Sequence, residues 1–301
     1  MRVAAVVVTY NRADLLRECI NALKNQTYTD FDIFIIDNNS TDNTLSVVNE
    51  FKLSNLIYFN TGRNIGGAGG FAFGMNKALV REYDYIWLMD DDTVAYPDTL
   101  QSLINKAIAL KSDFSFISSV SEWTDGTLCL MNRQNINNGL DDIHALKNHL
   151  LRVPYASFVS CFLNADVCNS AGLPYVEFFI YGDDLEYTKR VSQYAPGYLD
   201  IDSYVIHKMN KNVVASVVVC EKERIDRYVY GVRNNTFIAR KYKYLRKNII
   251  TNIKEIVKVI LRSKDKKFKR ISVIIKGFFK GLFFNPECIK EYSENLFDTK
   301  E

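Results

Sequence analysis

The stretch Val3-Ala4-Ala5-Val6-Val7-Val8-Thr9-Tyr10-Asn11-Arg12 decides the fold. Six apolar residues in a row, four of them valine, read as a strand buried on both faces, and the switch to Thr9-Tyr10-Asn11-Arg12 gives it a polar end. The same form recurs down the chain. Phe31 to Ile36 runs into Asp37-Asn38-Asn39-Ser40, Leu56 to Phe59 is a third apolar run, and Tyr85-Ile86-Trp87-Leu88-Met89 runs into Asp90-Asp91-Asp92. Helical spacing fills the intervals. Leu15, Leu16, Cys19, Ile20 and Leu23 make one helix, and Leu45, Val48 and Phe51 another, which Ser40 or Asp42 is placed to cap. Ala68 to Val80 follows a glycine-rich turn, and Pro97 suits the first turn of a helix through Leu100, Ile104 and Ile108. Strict alternation predicts an α/β protein built on a Rossmann-like, mostly parallel, doubly wound sheet. Ligands of such sheets bind beyond the carboxyl ends of the strands, where every polar cluster named so far lies.

The whole chain, 301 residues and 34.6 kDa, suits one catalytic-sized domain with an appendage. A 48% hydrophobic and 24% charged composition excludes disorder and fibrous architectures. The longest apolar runs, Val3 to Val8 and Ile271 to Ile275, fall far short of the roughly 20 residues of a spanning helix, and the opening reads as a strand, not a signal peptide. Six scattered cysteines without short paired spacings predict reduced thiols in a cytosolic protein. Charge is unevenly spread: residues 1–210 hold 16 Lys+Arg against 25 Asp+Glu (−9), residues 211–301 hold 22 against 10 (+12). In the basic part Leu245, Ile249, Ile253, Ile256 and Ile260 form one helical stripe and Ile271, Ile274, Phe278 and Leu282 another. Between the two regions the pattern loosens. Residues 122–153 are Asn-rich and predict a mobile or acceptor-facing segment, followed by strands at Phe158–Leu163 and Tyr198–Ile206 and a helix starting near Asp184. The expected division is a catalytic domain over 1–222, with halves meeting near 120, and a basic amphipathic helical extension over 223–301.

Asp90-Asp91-Asp92 concentrates carboxylates that repel one another unless a cation or solvent separates them. In extended backbone Asp90 and Asp92 face one side, a grip for a divalent ion that bridges two phosphates; His207, after Tyr204-Val205-Ile206, is a further candidate ligand. Asp37 is placed to accept from a nucleobase N–H or ribose hydroxyl and Arg12 to meet a phosphate, with helix capping by Asn11 and Ser40 as the structural alternative. Arg63-Asn64-Ile65-Gly66-Gly67-Ala68-Gly69-Gly70 offers close backbone approach and helix-start N–H groups to an anion or a sugar, but matches neither the P-loop nor the dinucleotide fingerprint. Gly182-Asp183-Asp184-Leu185-Glu186 puts carboxylates beside Phe178-Phe179-Ile180-Tyr181 at a helix start, where one can serve as general base or Asp183 as an N-cap.

Taken together these residues resemble the inverting nucleotide-sugar glycosyltransferases of family 2, which have the GT-A fold. The resemblance spans about residues 3–210: Val6-Val-Val-Thr-Tyr-Asn-Arg12 and Ile35-Ile-Asp-Asn-Asn-Ser-Thr-Asp42 look like the nucleotide-binding strands, Trp87-Leu-Met-Asp-Asp-Asp92 like the DXD motif, and Gly182-Asp-Asp184 like the acidic pair, which reads Glu-Asp in many relatives. Within the family the galactofuranosyltransferases are most similar, with rhamnosyltransferases using dTDP-rhamnose as near relatives. The resemblance implies a UDP-sugar donor surrounded by Thr9, Tyr10, Asn11, Arg12, Asp37, Asn38, Arg63, Asn64, Gly66, Gly67, Asp90 and Asp91. It implies Mn²⁺ or Mg²⁺ on Asp90, Asp92 and His207. It also implies Asp184, with Asp183 as the other choice, as the base that deprotonates a glycan or lipid-linked acceptor in polysaccharide assembly.

Two other functions fit part of the pattern. A sugar-phosphate nucleotidyltransferase would carry its glycine-rich turn directly after the first strand, where Tyr10-Asn11-Arg12 stands. A nucleic-acid-binding protein could use the basic tail, yet the acidic front repels phosphate backbones, so no nucleic-acid partner is expected. The tail's apolar stripes among Phe268, Phe278, Phe279, Phe283 and Phe284, ringed by Lys and Arg, instead predict peripheral attachment to the anionic inner face of the cell membrane; core packing or a homo-oligomer interface is the competing expectation.

Overall fold

A computed structural model describes residues 1–136 and 142–297. The elements in chain order are β1 (Val3–Thr9), α1 (Ala13–Lys24), β2 (Phe31–Asp37), α2 (Thr44–Glu50), β3 (Leu56–Asn60), α3 (Gly66–Val80), β4 (Tyr85–Asp90), β5 (Thr93–Ala95), α4 (Thr99–Ala109) and β6 (Phe116–Glu122). They continue with α5 (Ile143–Lys147), β7 (Leu150–Arg152), β8 (Cys161–Asn164), α6 (Ala165–Ala171), α7 (Asp183–Val191) and β9 (Gly197–His207). Three helices follow: α8 (Tyr228–Lys241), α9 (Leu245–Arg262) and α10 (Lys267–Phe283).

One sheet runs β3-β2-β1-β4-β8-β6-β9-β5, with β7 on β9. Every residue of β1 is buried, and its side chains divide by pleat: Val3, Ala5 and Val7 join Leu16, Ile20, Leu103 and Ile104 on one face, while Ala4, Val6 and Val8 join Phe71, Met75, Ala78 and Tyr187 on the other. The sheet is therefore covered by helices on both faces. Its first half, β3-β2-β1-β4, is parallel as expected. The second half is mixed. β8 runs antiparallel to β4 and β6, β9 parallel to β6, and β5 and β7 antiparallel to β9. The sheet keeps its expected mostly parallel character with an antiparallel return at β8, because a parallel return needs a long crossover and the chain between β6 and β8 carries only the short α5 and the three-residue β7. Residues 137–141 of the expected loose segment lie outside the described residues; the described remainder is tied down, the Leu130 N–H donating to Asn212 Oδ1 (2.8 Å) and Trp123 Nε1 to the Met209 carbonyl (2.8 Å).

Two local readings change. Pro97 lies two residues ahead of α4, outside its first turn. Asn11 (φ +54°) caps no helix: its N–H donates to Ser40 Oγ (2.9 Å) and its Oδ1 accepts from the Thr41 N–H (2.7 Å), lashing the ends of β1 and β2 together. Asp42 instead takes a first-turn N–H from each of α1 and α2, accepting from Ala13 (3.1 Å) and Thr44 (3.0 Å).

The helical extension packs on the catalytic part. α10 lies along α8 through Gly277 and Gly281, where a Cβ would stand 2.6 Å from Val232 Cβ and 2.5 Å from Thr236 Cβ. The segment after α10 then returns to the sheet domain. Leu173 N–H donates to the Ile289 carbonyl (2.8 Å), Asn76 Nδ2 to the Ser293 carbonyl (2.8 Å), Lys77 pairs with Glu294 (2.8 Å), and Phe297 meets Phe73. The last residues of the expected extension, 298–301, lie outside the described residues. Ile274 of the second stripe is buried, while Ile249, Ile253 and Ile260 of the first are exposed, as are Phe268, Ile275, Phe279 and Phe283 on α10.

Candidate active site

The pairing of β5 with β9 sets Thr93 opposite His207, which brings the end of β9 back beside the turn that follows β4. Ligand atoms of Asp90, Asp92 and His207 all lie within 4.8 Å of one another. His207 Nε2 is 3.2 Å from Asp92 Oδ1 without hydrogen-bond alignment, so that buried oxygen has no hydrogen-bond partner. Burial and repulsion from Asp92 push the Asp90 carboxyl up to about 7. Burial opposes charge on His207, but Asp92, Cys129 and Asp90 outweigh it and raise the imidazolium to about 10. Asp92 itself is held below its ordinary range: His207 and Arg12 overcome the effect of burial. An orphaned carboxylate oxygen beside a second carboxylate and an imidazole is a donor set that suits a divalent ion such as Mn²⁺ or Mg²⁺.

Asp91 turns away from this group. It is buried, accepts from Thr9 Oγ1 (2.8 Å) and meets Arg12 Nη1 (3.1 Å). Arg12 also reaches Asp92 (2.8 Å). The resemblance places both at the donor; in the structure the half-exposed guanidinium meets the two carboxylates and balances their charge, which lets three acidic groups share one turn. Asn132 is a supporting residue that the sequence reading missed. Its Oδ1 accepts from His207 Nδ1 (2.8 Å) while its Nδ2 donates to Ser157 (2.8 Å), so Nε2 is the nitrogen turned to the carboxylates. Its only sequence signal is membership of the Asn-rich segment.

At the neighbouring strand ends, Asp37 is buried and accepts from Tyr58 Oη (2.7 Å) and the Ser40 N–H (2.8 Å); Asn38 donates to the Gly66 carbonyl (3.1 Å). Tyr10 and the side chains of Arg63 and Asn64 are exposed around them. Gly66 and Gly67 separate in role. Gly66 (φ +76°) faces protein: a Cβ there would stand 2.1 Å from the Phe179 carbonyl oxygen. A Cβ at Gly67 would meet nothing within 4 Å, so of the two only Gly67 borders open space.

Asp183 and Asp184 open α7, and Gly182 (φ +80°) holds the N-cap position, so Asp183 is not the cap. Burial pushes Asp184 up to about 6; burial, then Asp184 and Asp90, drive Asp183 well above the carboxylate range. Asp90 is thus near enough for its charge to add to the rise of Asp183. A carboxylate with its affinity for protons raised toward neutrality can take a proton from a hydroxyl at physiological pH.

Residues 4–166 match the model of Glycosyl transferase family 2. Galactofuranosyltransferase GlfT1 of Mycolicibacterium smegmatis is 28% identical over 196 residues, 63% of this chain and 65% of that protein, and GlfT1 of Mycobacterium tuberculosis is 31% identical over 197 residues, 63% and 64%. The chain thus matches just under two thirds of these relatives' lengths. The dTDP-rhamnosyl transferase RfbG of Shigella flexneri is 34% identical over 103 residues, 33% of this chain and 36% of that one. Among solved structures, the mannosyltransferase PcManGT of Pyrobaculum calidifontis, with GDP-Man and Mn²⁺, superposes with a TM-score of 0.60 at 13% identity, over 93% of this chain and 87% of that one. The mixed sheet and its helices on both faces are those of the GT-A fold, and the chain belongs to glycosyl transferase family 2.

Proposed function

We propose that this protein is an inverting, divalent-metal-dependent hexosyltransferase that moves a galactofuranosyl residue from a UDP-sugar to a glycan or lipid-linked acceptor in cell-surface polysaccharide assembly. The observation that carries this reading is the pair of separate acidic groups, Asp90–Asp92–His207 and Asp183–Asp184, close enough for Asp90 to raise Asp183. We read residues 1–222 as the catalytic unit, with the donor half up to about 120 and the acceptor half beyond it.

A divalent ion on Asp90, Asp92 and His207 supplies Lewis-acid neutralisation of the leaving diphosphate. The chain's own groups do the rest. Asp184, deprotonated above about pH 6, takes the proton of the acceptor hydroxyl. That oxygen forms the bond to the anomeric carbon as the bond to the diphosphate oxygen breaks on the opposite face, inverting the centre. Asp37, Asn38 and Gly67 border the space for the nucleoside, and Arg12 holds Asp91 and Asp92 in place. The experiment is a panel of nucleotide sugars with and without Mn²⁺, followed by the anomeric configuration of the product. Consumption of UDP-galactofuranose with inversion supports the reading, and preference for dTDP-rhamnose replaces it with the rhamnosyl reading that the likeness to RfbG favours.

We further infer that α9 and α10 hold the enzyme on an anionic membrane surface facing the cytosol. No helix among the described residues is long and apolar enough to cross a membrane. Phe268 (92% exposed), Phe279 and Phe283 (83%) share the outer face of α10 with Ile275, and α9 exposes Ile250, Ile253, Val257, Ile260 and Leu261 beside it. From Arg240 to Lys280 the chain carries 15 basic and 2 acidic residues, a complement to anionic headgroups worth about 1 kcal/mol per engaged cation. The inner face of α10 is committed to α8, so the extension serves packing and surface binding with opposite sides.

A further inference from the structure

The loop that delivers the acidic pair has an unusual backbone. Phe179 (φ +61°), Tyr181 (φ +69°) and Gly182 (φ +80°) all stand in the left-handed region, which two aromatic residues occupy only when surrounding contacts hold them there. Those contacts come largely from α8, part of the extension. The Asn234 side chain is completely buried, and its Nδ2 lies within hydrogen-bond distance of three carbonyls, Phe178 (3.0 Å), Ile180 (3.1 Å) and Tyr181 (2.8 Å). Its orientation is set from behind: Arg233 Nε donates to Asn234 Oδ1 (2.9 Å), which turns the amide's two N–H groups toward the loop. Arg233 Nη2 donates to the Glu177 and Phe178 carbonyls. The Ala68 N–H takes the Phe179 carbonyl (3.2 Å), and α7 itself takes that of Gly182 through Glu186 (2.9 Å). Every carbonyl from Glu177 to Gly182 is thereby engaged, four of the six by two adjacent side chains of α8. A second tie lies one turn along α7. Glu186, buried, meets Lys241 of α8 at 2.5 Å and Arg190 at 3.0 Å.

We propose that Asn234 is a positioning residue for the reaction: it holds the 178–182 loop in its left-handed path and so fixes where Asp183 and Asp184 present their carboxylates, which makes α8 a working part of the active site. This rests on the reading of Asp184 or Asp183 as the base. The physical case is that an amide donating to a run of carbonyls is the one neutral side chain that can satisfy several of them at once without adding a charge next to two carboxylates. Without it the part-buried carbonyls of Ile180 and Tyr181 lose this partner, the loop relaxes toward commoner backbone angles, and the carboxylates shift by a distance on which proton transfer depends.

The test compares Asn234→Ala with Asp184→Asn, using Mn²⁺ with UDP as the binding probe and the full chain throughout. Asn234→Ala is expected to bind UDP within about threefold of the parent and keep its donor KM. Its kcat is expected to fall about 10- to 100-fold, and the acid limb of its kcat–pH profile to move down as the freed loop lets water reach Asp184. Asn234→Ser, which keeps a single donor, is expected between the two, and it carries the test if the alanine variant loses UDP binding through misfolding. A parent-like kcat and acid limb in either variant, with Asp184→Asn inactive, overturns the positioning role and leaves the base role standing. Parent-like turnover in both Asp184→Asn and Asp183→Asn overturns the base reading instead.

Discussion

Replacing Gly66 with alanine, beside the same change at Gly67, separates a glycine required by packing from one that borders the cleft. At Gly66 the new Cβ would stand 2.1 Å from the Phe179 carbonyl oxygen, 2.7 Å from Phe179 Cδ2 and 2.8 Å from Phe179 C. Restoring ordinary contact demands a displacement of about 1 Å, and the obstacle is backbone that cannot swing aside as a side-chain tip would. The φ of +76° adds the left-handed penalty, about 1–2 kcal/mol for alanine. With about 1–3 kcal/mol for overpacking, the loss is about 2–5 kcal/mol, a fall in Tm on the order of 5–10 °C for a chain this size. The displaced carbonyl belongs to the loop carrying Asp183 and Asp184, so kcat should fall on the order of 10²-fold while UDP binding persists. At Gly67 there is open space, and an alanine at a helix start gains a few tenths of a kcal/mol. Gly67→Ala should keep or slightly raise Tm, and a methyl group at the cleft edge should show as a higher donor KM. Thermal melting, calorimetry with UDP and Mn²⁺, and steady-state kinetics on both variants measure all of this. Equal Tm and equal kcat in the two would refute the reasoning, since only their surroundings distinguish these neighbours.

Asp92→Ala and Asp90→Ala should each abolish Mn²⁺-dependent UDP binding with the fold intact by circular dichroism, and EDTA should reproduce the effect on the parent; UDP affinity indifferent to all three would remove the metal from these residues. Burial holds Asp90 near 7 and Asp184 near 6, above the unfolded value, so the folded chain binds the extra protons between about pH 4 and 7 and loses stability as pH rises through that window. A divalent ion competes with those protons at Asp90, and the Tm gained from Mn²⁺ should therefore be larger at pH 7.5 than at 5.5; an unchanged gain counts against it. Asp184→Asn should cut turnover at least about 10²-fold with donor binding retained, and kcat of the parent should rise from acid pH with a midpoint near 6. Serine at Phe268, Phe279 and Phe283 together should release the protein from anionic vesicles at low salt and leave transfer to a water-soluble acceptor unchanged; vesicle binding that survives assigns those phenylalanines to another contact.

The parallel half of the fold is legible in the sequence because β1 and β4 are continuous apolar runs, β2 is one interrupted only at Asp32, and all three end in polar clusters, as burial on both faces dictates. The mixed half is not. β5 and β7 have three residues each, too few for any period to show, and β8 owes its direction to contacts on both sides of it. The metal-ligand candidates are legible because like charges packed together ask for a cation. Thr9, Arg12 and Asp91 are legible as polar strand-end residues, but their mutual engagement depends on two strand ends meeting in space. Asn132 and Asn234 are illegible for a plainer reason: an amide carries no charge or periodicity, and the groups that each one holds at the site lie 53 to 75 positions away. The exposed and buried sides of α10 could not be told apart in the sequence, since both are apolar and only α8 selects one.

The return of the chain after α10 bears on how the protein is made. Asn76 and Lys77 of α3 find their partners at Ser293 and Glu294, 217 positions later. At synthesis rates of about 5–20 residues per second, α3 waits roughly 10–40 s for them to emerge. During that interval Phe73 lacks the ring of Phe297 and Lys77 lacks its carboxylate, so the nascent sheet domain presents an unfinished apolar face to whatever is nearby. The α3 face of the sheet domain is thus closed only once the segment after α10 has emerged and docked.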